Sequence, residues 1–82
     1  MTEQERDTEI KRRQLLAKGV SAALIRIPGS RMNKCAVLGV SLPTLDRWIT
    51  GASEPSEPNL TRLARRSGLT QEAIRNGGKD PQ

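Results

Sequence analysis

Apolar residues in the first third of the chain fall at 10, 16, 20, 23, 24 and 27, with Leu15 and Ala17 beside them. Intervals of three and four put them on one side of a helix, so the spacing predicts a helical segment from about Gln4 to Ile27. Asp7 with Lys11, and Glu9 with Arg13, are acid-before-base pairs at i, i+4 that favour the same assignment. Gly19 and Ser21 interrupt the stripe, which therefore reads either as one long helix with a weak middle or as two shorter ones. Pro28-Gly29 closes the segment in both cases, because proline removes a donor and disfavours helix in the residue before it.

The rest of the chain is punctuated at short intervals. Ser30 is a good N-cap for a second helix, RMNKCAVL, and Gly39 ends it by tolerating the left-handed conformation of a C-cap. Ser41 caps a third helix at once, with Pro43 in the first turn, where a missing N–H costs nothing. Beyond Thr50-Gly51, the segment ASEPSEP reads as a surface loop. A fourth helix is expected from about Pro58 to Arg66 with Leu60, Leu63 and Ala64 on one face, stopped by Gly68. Thr70 caps a short fifth helix, TQEAIRN, which Gly77-Gly78 ends. The expected fold class is all-α, a compact domain of five helices of which the first is extended at its N-terminal end. The first few residues and the segment GGKDPQ are expected to be disordered.

Composition narrows what such a domain can do. Eighty-two residues are enough for one domain with a small core. Nine Leu, five Ile and three Val stand against a single Trp and no Phe or Tyr, so that core is aliphatic. One cysteine, Cys35, cannot form an intramolecular disulfide. The absence of histidine removes the commonest zinc ligand and general base, so no structural zinc, metal site or cofactor is expected. Nine carboxylates spread over caps, loops and helix faces offer no converging pair, and the chain reads as no enzyme and without a small-molecule substrate. No stretch approaches the roughly 20 apolar residues of a membrane span, and the polar N-terminus is unlike a signal peptide, so a cytoplasmic location with no membrane partner is expected.

Charge is unevenly distributed. Between Lys11 and Leu45 the chain has seven cations (Lys11, Arg12, Arg13, Lys18, Arg26, Arg31 and Lys34) and no Asp or Glu. A block of this kind suits a surface that faces a polyanion, although a solvated helix face has the same composition.

The block overlaps a second pattern. A short helix with a small residue at Cys35 is followed by Leu38-Gly39-Val40-Ser41, and then by a helix with Leu45 and Trp48 on its inner side. In a helix-turn-helix the small residue lets two helices cross closely, the glycine makes the turn, and the apolar residues on either side lock the crossing. Trp48 and Cys35 accordingly read as packing residues, and Arg62, Arg65 and Arg66 as a solvated face.

The ordered set Cys35-Ala-Val-Leu-Gly-Val-Ser, Thr44-Leu-Asp-Arg-Trp, Gly51, Pro55, Leu60, Leu63-Ala64 and Gly68-Leu69-Thr70 resembles the lambda-repressor-like helix-turn-helix family, of the Cro/CI or xenobiotic-response-element type, over roughly Leu16 to Asn76. The resemblance implies a DNA-binding domain at 16–76 with its turn at 39–41 and its recognition helix at about 42–50. It leaves 1–15 as a helical extension and 77–82 as a flexible tail. It further implies a homodimer on double-stranded DNA, with the third helix in the major groove. Carried over by position, Leu42, Pro43, Thr44 and Arg47 would face the bases, and Arg31, Lys34 and Thr50 would meet phosphates. Of the four base-facing residues, Arg47 alone can make a bidentate bond to guanine, and Thr44 can donate to a base edge.

The chain also departs from the family pattern. Leu42-Pro43 opens the third helix where many members have polar residues, and Glu54 and Glu57 would bring acids close to the DNA backbone. Asp46 is expected to face solvent or to pair with a basic neighbour. Lys34 stands where an apolar residue is common, so its stem is expected to pack while its ammonium reaches outward. Lys11-Arg12-Arg13 reads as a phosphate-binding arm, a dimer contact or a solvated helix. The expected function is a sequence-specific transcriptional regulator, a repressor of bacterial or phage type. The other readings are a helical protein-interaction module or antitoxin-like partner, favoured by the apolar Leu42-Pro43 tip, and a DNA-docking subunit of a recombination or packaging complex.

Overall fold

A computed structural model describes residues 2–79 and consists of five helices, with no strand among the described residues. These are α1 (Glu3–Arg26), α2 (Arg31–Leu38), α3 (Leu42–Thr50), α4 (Glu57–Ser67) and α5 (Gln71–Arg75). The second, third and fifth begin at the caps expected from the sequence, and α1 begins at its cap Thr2. The side chains of Thr2, Ser30, Ser41 and Thr70 accept hydrogen bonds from the backbone N–H groups of Glu5, Asn33, Thr44 and Ala73. Such caps satisfy donors that the first helical turn leaves open, and each contributes on the order of 1 kcal/mol. Ser56 precedes α4 without a side-chain cap bond, and Glu57 in the first turn complements the positive end of that helix.

The first segment is one helix, unbroken at Gly19 and Ser21. Its 24 residues span about 36 Å at 1.5 Å per residue, close to the 41 Å longest extent of the molecule. The other helices have five to eleven residues, so they cover only part of it. Leu16, Val20, Ala23, Leu24 and Ile27 are buried. Ile10 is 47% exposed and Leu15 44%, although both follow the apolar spacing that predicts burial. They lie on a part of α1 that has no helix long enough to enclose it.

The core itself is aliphatic. Val20, Leu38, Leu45, Leu60, Leu63 and Ile74 are fully enclosed and bring all five helices together around Trp48, which is 3% exposed. Cys35 is buried among them as a free thiol.

Gly19 has a structural role of its own. A Cβ at this position would stand 1.6 Å from the carbonyl oxygen of Ile74, so α5 docks on α1 only because position 19 has no side chain. Gly78 meets the same seam, where its own Cβ would come within 2.6 Å of the Ala22 Cβ. Thus Gly77 and Gly78, the start of the segment expected to be a tail, are half-buried against α1, while Met1 and residues 80–82 lie outside the described residues.

Two arginines close helix C-termini from a distance. The Arg26 Nε donates to the Ser67 carbonyl at 2.8 Å, and the Arg62 Nη1 donates to the Leu38 carbonyl at 3.3 Å. A cation suits the negative end of a helix, and the bonds satisfy carbonyls that have no partner within it. Arg62 is exposed, as expected of a solvated face. As the sixth residue of α4 it also reaches the end of α2.

Candidate nucleic-acid interface

The α2–α3 connection is a tight turn. Gly39 has φ 71° and ψ 32°, the left-handed conformation that a β-branched residue avoids, and its N–H closes α2 on the Ala36 and Cys35 carbonyls. Val40 follows with a bond to Cys35, and Ser41 already caps α3. Two helices are therefore joined at a fixed angle by three residues, with Leu38, Leu45 and Trp48 buried behind the turn.

With Leu45 and Trp48 turned inward, the opposite side of α3 is set by helical geometry. Pro43, Arg47 and Thr50, spaced by four and then three, form one exposed stripe. Arg47 makes no ion pair among the described residues, and its guanidinium stands in solvent. The Thr50 hydroxyl donates to the Arg47 carbonyl at 3.3 Å.

The remaining residues expected to face the bases are held more closely. Thr44 is half-buried, and its hydroxyl lies 2.9 Å from that of Ser41, so the cap and the candidate base contact share a hydrogen bond. Leu42 is half-buried and packs against the core cluster, which divides it between the interior and the surface.

The candidate phosphate contacts sit beside the stripe. Arg31, in the first turn of α2, is exposed and pairs through Nη1 with the Asp46 Oδ1 at 3.2 Å. Both partners remain open to solvent, at 61% and 47% exposure, so the pair is weak and the guanidinium can exchange it for another anion. Asp46 thus has the basic neighbour expected for it. Lys34 is half-buried in a cleft floored by Leu24, Leu45 and Ile49, the packing expected of its stem.

The two loop acids have partners that the sequence does not reveal. Glu54 accepts a 2.5 Å bond from the Arg12 Nη2, and Glu57 accepts one of the same length from the Arg75 Nη2. Arg12 also binds Glu9 at 2.8 Å, and Arg13 reaches Glu9 at 3.4 Å. Hydrogen bonding from Arg12, with the charges of Arg12 and Arg13, holds the Glu9 carboxyl below the usual carboxylate range. The two carboxylates in turn hold the Arg12 guanidinium more firmly protonated. Of the two helix pairs predicted, Glu9–Arg13 forms, and Asp7–Lys11 does not appear among the described residues. The partners of Glu54 and Glu57 lie 42 and 18 residues away, beyond the reach of any local pattern.

Among the described residues no helix is long and apolar enough to cross a membrane, and no three His, Cys, Asp or Glu side chains converge in a way that could hold a metal ion. No protein family, curated protein or solved structure was found to match this chain.

Proposed function

We propose that this chain is a sequence-specific double-stranded DNA-binding protein, a transcriptional repressor of lambda-repressor-like type that acts as a homodimer and inserts α3 into the major groove. The observation that carries this reading is the exposed stripe of Pro43, Arg47 and Thr50 on a helix whose opposite face is buried, with Arg47 free of any ion pair among the described residues. A guanidinium presented in this way can take guanine O6 and N7 together, a contact that discriminates by about 1–3 kcal/mol. Pro43 and the outer edge of Leu42 offer apolar contact alone. Direct reading is therefore confined to few bases, and DNA shape and half-site spacing supply the rest of the specificity.

Internal pairing of the acids supports the same reading. Glu54 and Glu57 are engaged by Arg12 and Arg75, so they do not stand as bare carboxylates beside the approaching backbone. Arg31 and Lys34 flank α3 from α2 as phosphate contacts.

Salt titration of binding to random duplex DNA tests the proposal. Affinity is expected to fall with a log–log slope of about −0.9 per phosphate contact. Arg31→Ala should reduce the slope and weaken all sequences alike, and Arg47→Ala should abolish preference among sequences selected from a random library. An absence of binding at low salt would overturn the reading.

A further inference from the structure

One surface extends beyond the core and shares only Thr50 with the α3 stripe. A cleft of about 560 Å³ between the N-terminal half of α1 and the end of α3 has Ile10, Ala17 and Ile49 on its walls and Arg13 and Lys18 at its rim. A second cleft, of about 350 Å³, shares Ser21 and Ile49 with the first and continues past the 79% exposed Ile25 to Arg31 and Lys34. Together they form a groove with an apolar floor and four cations along it. No Asp or Glu lines it among the described residues.

What complements this groove is present on the same chain. Glu3, Glu5 and Asp7 in the first turns of α1 are exposed and form no ion pair among the described residues. Positions 3, 7, 10, 14, 17 and 21 alternate in steps of four and three, the spacing of a seam between two packed helices. That seam is acidic at Glu3 and Asp7, apolar at Ile10 and Ala17, and followed by Lys18. A parallel arrangement of two copies would place Asp7 against Asp7 and Lys18 against Lys18. An antiparallel one places Asp7 of each copy beside Lys18 of the other and turns Glu3 toward Ser21 and Ala22, where the two clefts meet.

We propose that the α1–α3 groove is the homodimer surface, occupied by the N-terminal half of α1 from a second copy lying antiparallel in an isologous contact. The contact covers Ile10, which no other part of its own chain encloses. Pro43 and Arg47 line neither cleft, and Arg31 and Lys34 lie at the far end of the second, beyond the reach of the partner's Glu3, so these four stay open in the dimer, whereas Thr50 lines the first cleft and is covered. This inference rests on the reading of the chain as a homodimer and not on DNA binding; it is measured without DNA, so that the two can fail separately.

The test is sedimentation equilibrium of the full chain over a concentration series, with circular dichroism to verify that each variant remains helical. The wild type should dimerise, and Ile10→Ser should raise the dimer Kd by roughly tenfold. Asp7→Lys and Lys18→Glu should each weaken association, and the two together should restore it, which a merely destabilised fold cannot do. A chain that stays monomeric at every concentration would overturn the proposal, as would a dimer indifferent to both charge reversals. So would a monomer whose groove takes an acidic amphipathic peptide, because the surface would then belong to a different partner.

Discussion

The two halves of α1 are one continuous helix supported in two different ways. From Leu16 onward the helix is enclosed by its neighbours, with Val20 and Ala23 fully buried and Gly19 pressed against α5. Before Leu16 it is carried by charge, through Glu9, Arg12 and Glu54, over a loop, and its apolar residues stay half in water. The difference teaches that helical continuity says little about where stability resides. Packing fixes the second half, whereas the first is held by exposed pairs that salt screens.

Gly19→Ala should break this comparison at the α1–α5 seam. Alanine raises helix propensity by about 1 kcal/mol, but overpacking against Ile74 costs about 3 kcal/mol, so the net effect is a loss. Urea unfolding should show it directly, and an unchanged midpoint would mean that α5 does not dock as described. Two adjacent leucines sharpen the contrast next. Leu16→Ala should cost about 3 kcal/mol, and Leu15→Ala, from a residue that is 44% exposed, less than about 1 kcal/mol. Equal losses in a thermal melt would remove the distinction between the halves.

Arg12→Ala should act locally. Amide exchange is expected to quicken from Glu3 to about Leu15 and to remain slow from Val20 to Leu24, and high salt should erase the difference from wild type. The smallest effect is that of pH. The Glu9 carboxyl is held below its ordinary value of 4.5, so its contribution is complete above that pH and is lost as pH falls through the lowered value. Acid should therefore loosen the first half of α1 before the second, seen as exchange or helical fraying with little change in global unfolding.

Much of this architecture was legible in the sequence because its signals are local. Ser30, Ser41 and Thr70 announce helix starts, and Gly39, Gly51 and Gly68 announce ends, since a cap acts within three or four residues. The stripe on α3 follows from Leu45 and Trp48 by helical geometry alone. The exposure of Ile10 was not legible, because periodicity reveals which side of a helix is apolar but not how long its neighbours are. The role of Gly19 was hidden for a related reason: a glycine that weakens a helix and one that admits another backbone look the same in sequence. Glu54, Glu57 and Arg62 find partners that only the path of the chain brings close. The half-burial of Leu42 depends likewise on how α3 settles on the core.

The α1–α5 seam also bears on how the chain folds. Gly19 and Ile74 touch across 74 − 19 = 55 positions of an 82-residue sequence, so a large loop must close before α5 can contribute anything. A helix of five residues has no stability of its own, and it forms only as it docks. During synthesis, the part of the apolar side of α1 that meets α5 therefore waits, open to solvent or to a chaperone, until α5 has emerged. For a small helical domain, completion of the core should be slow relative to helix formation, and the delay should lengthen with any insertion into the 51–56 loop.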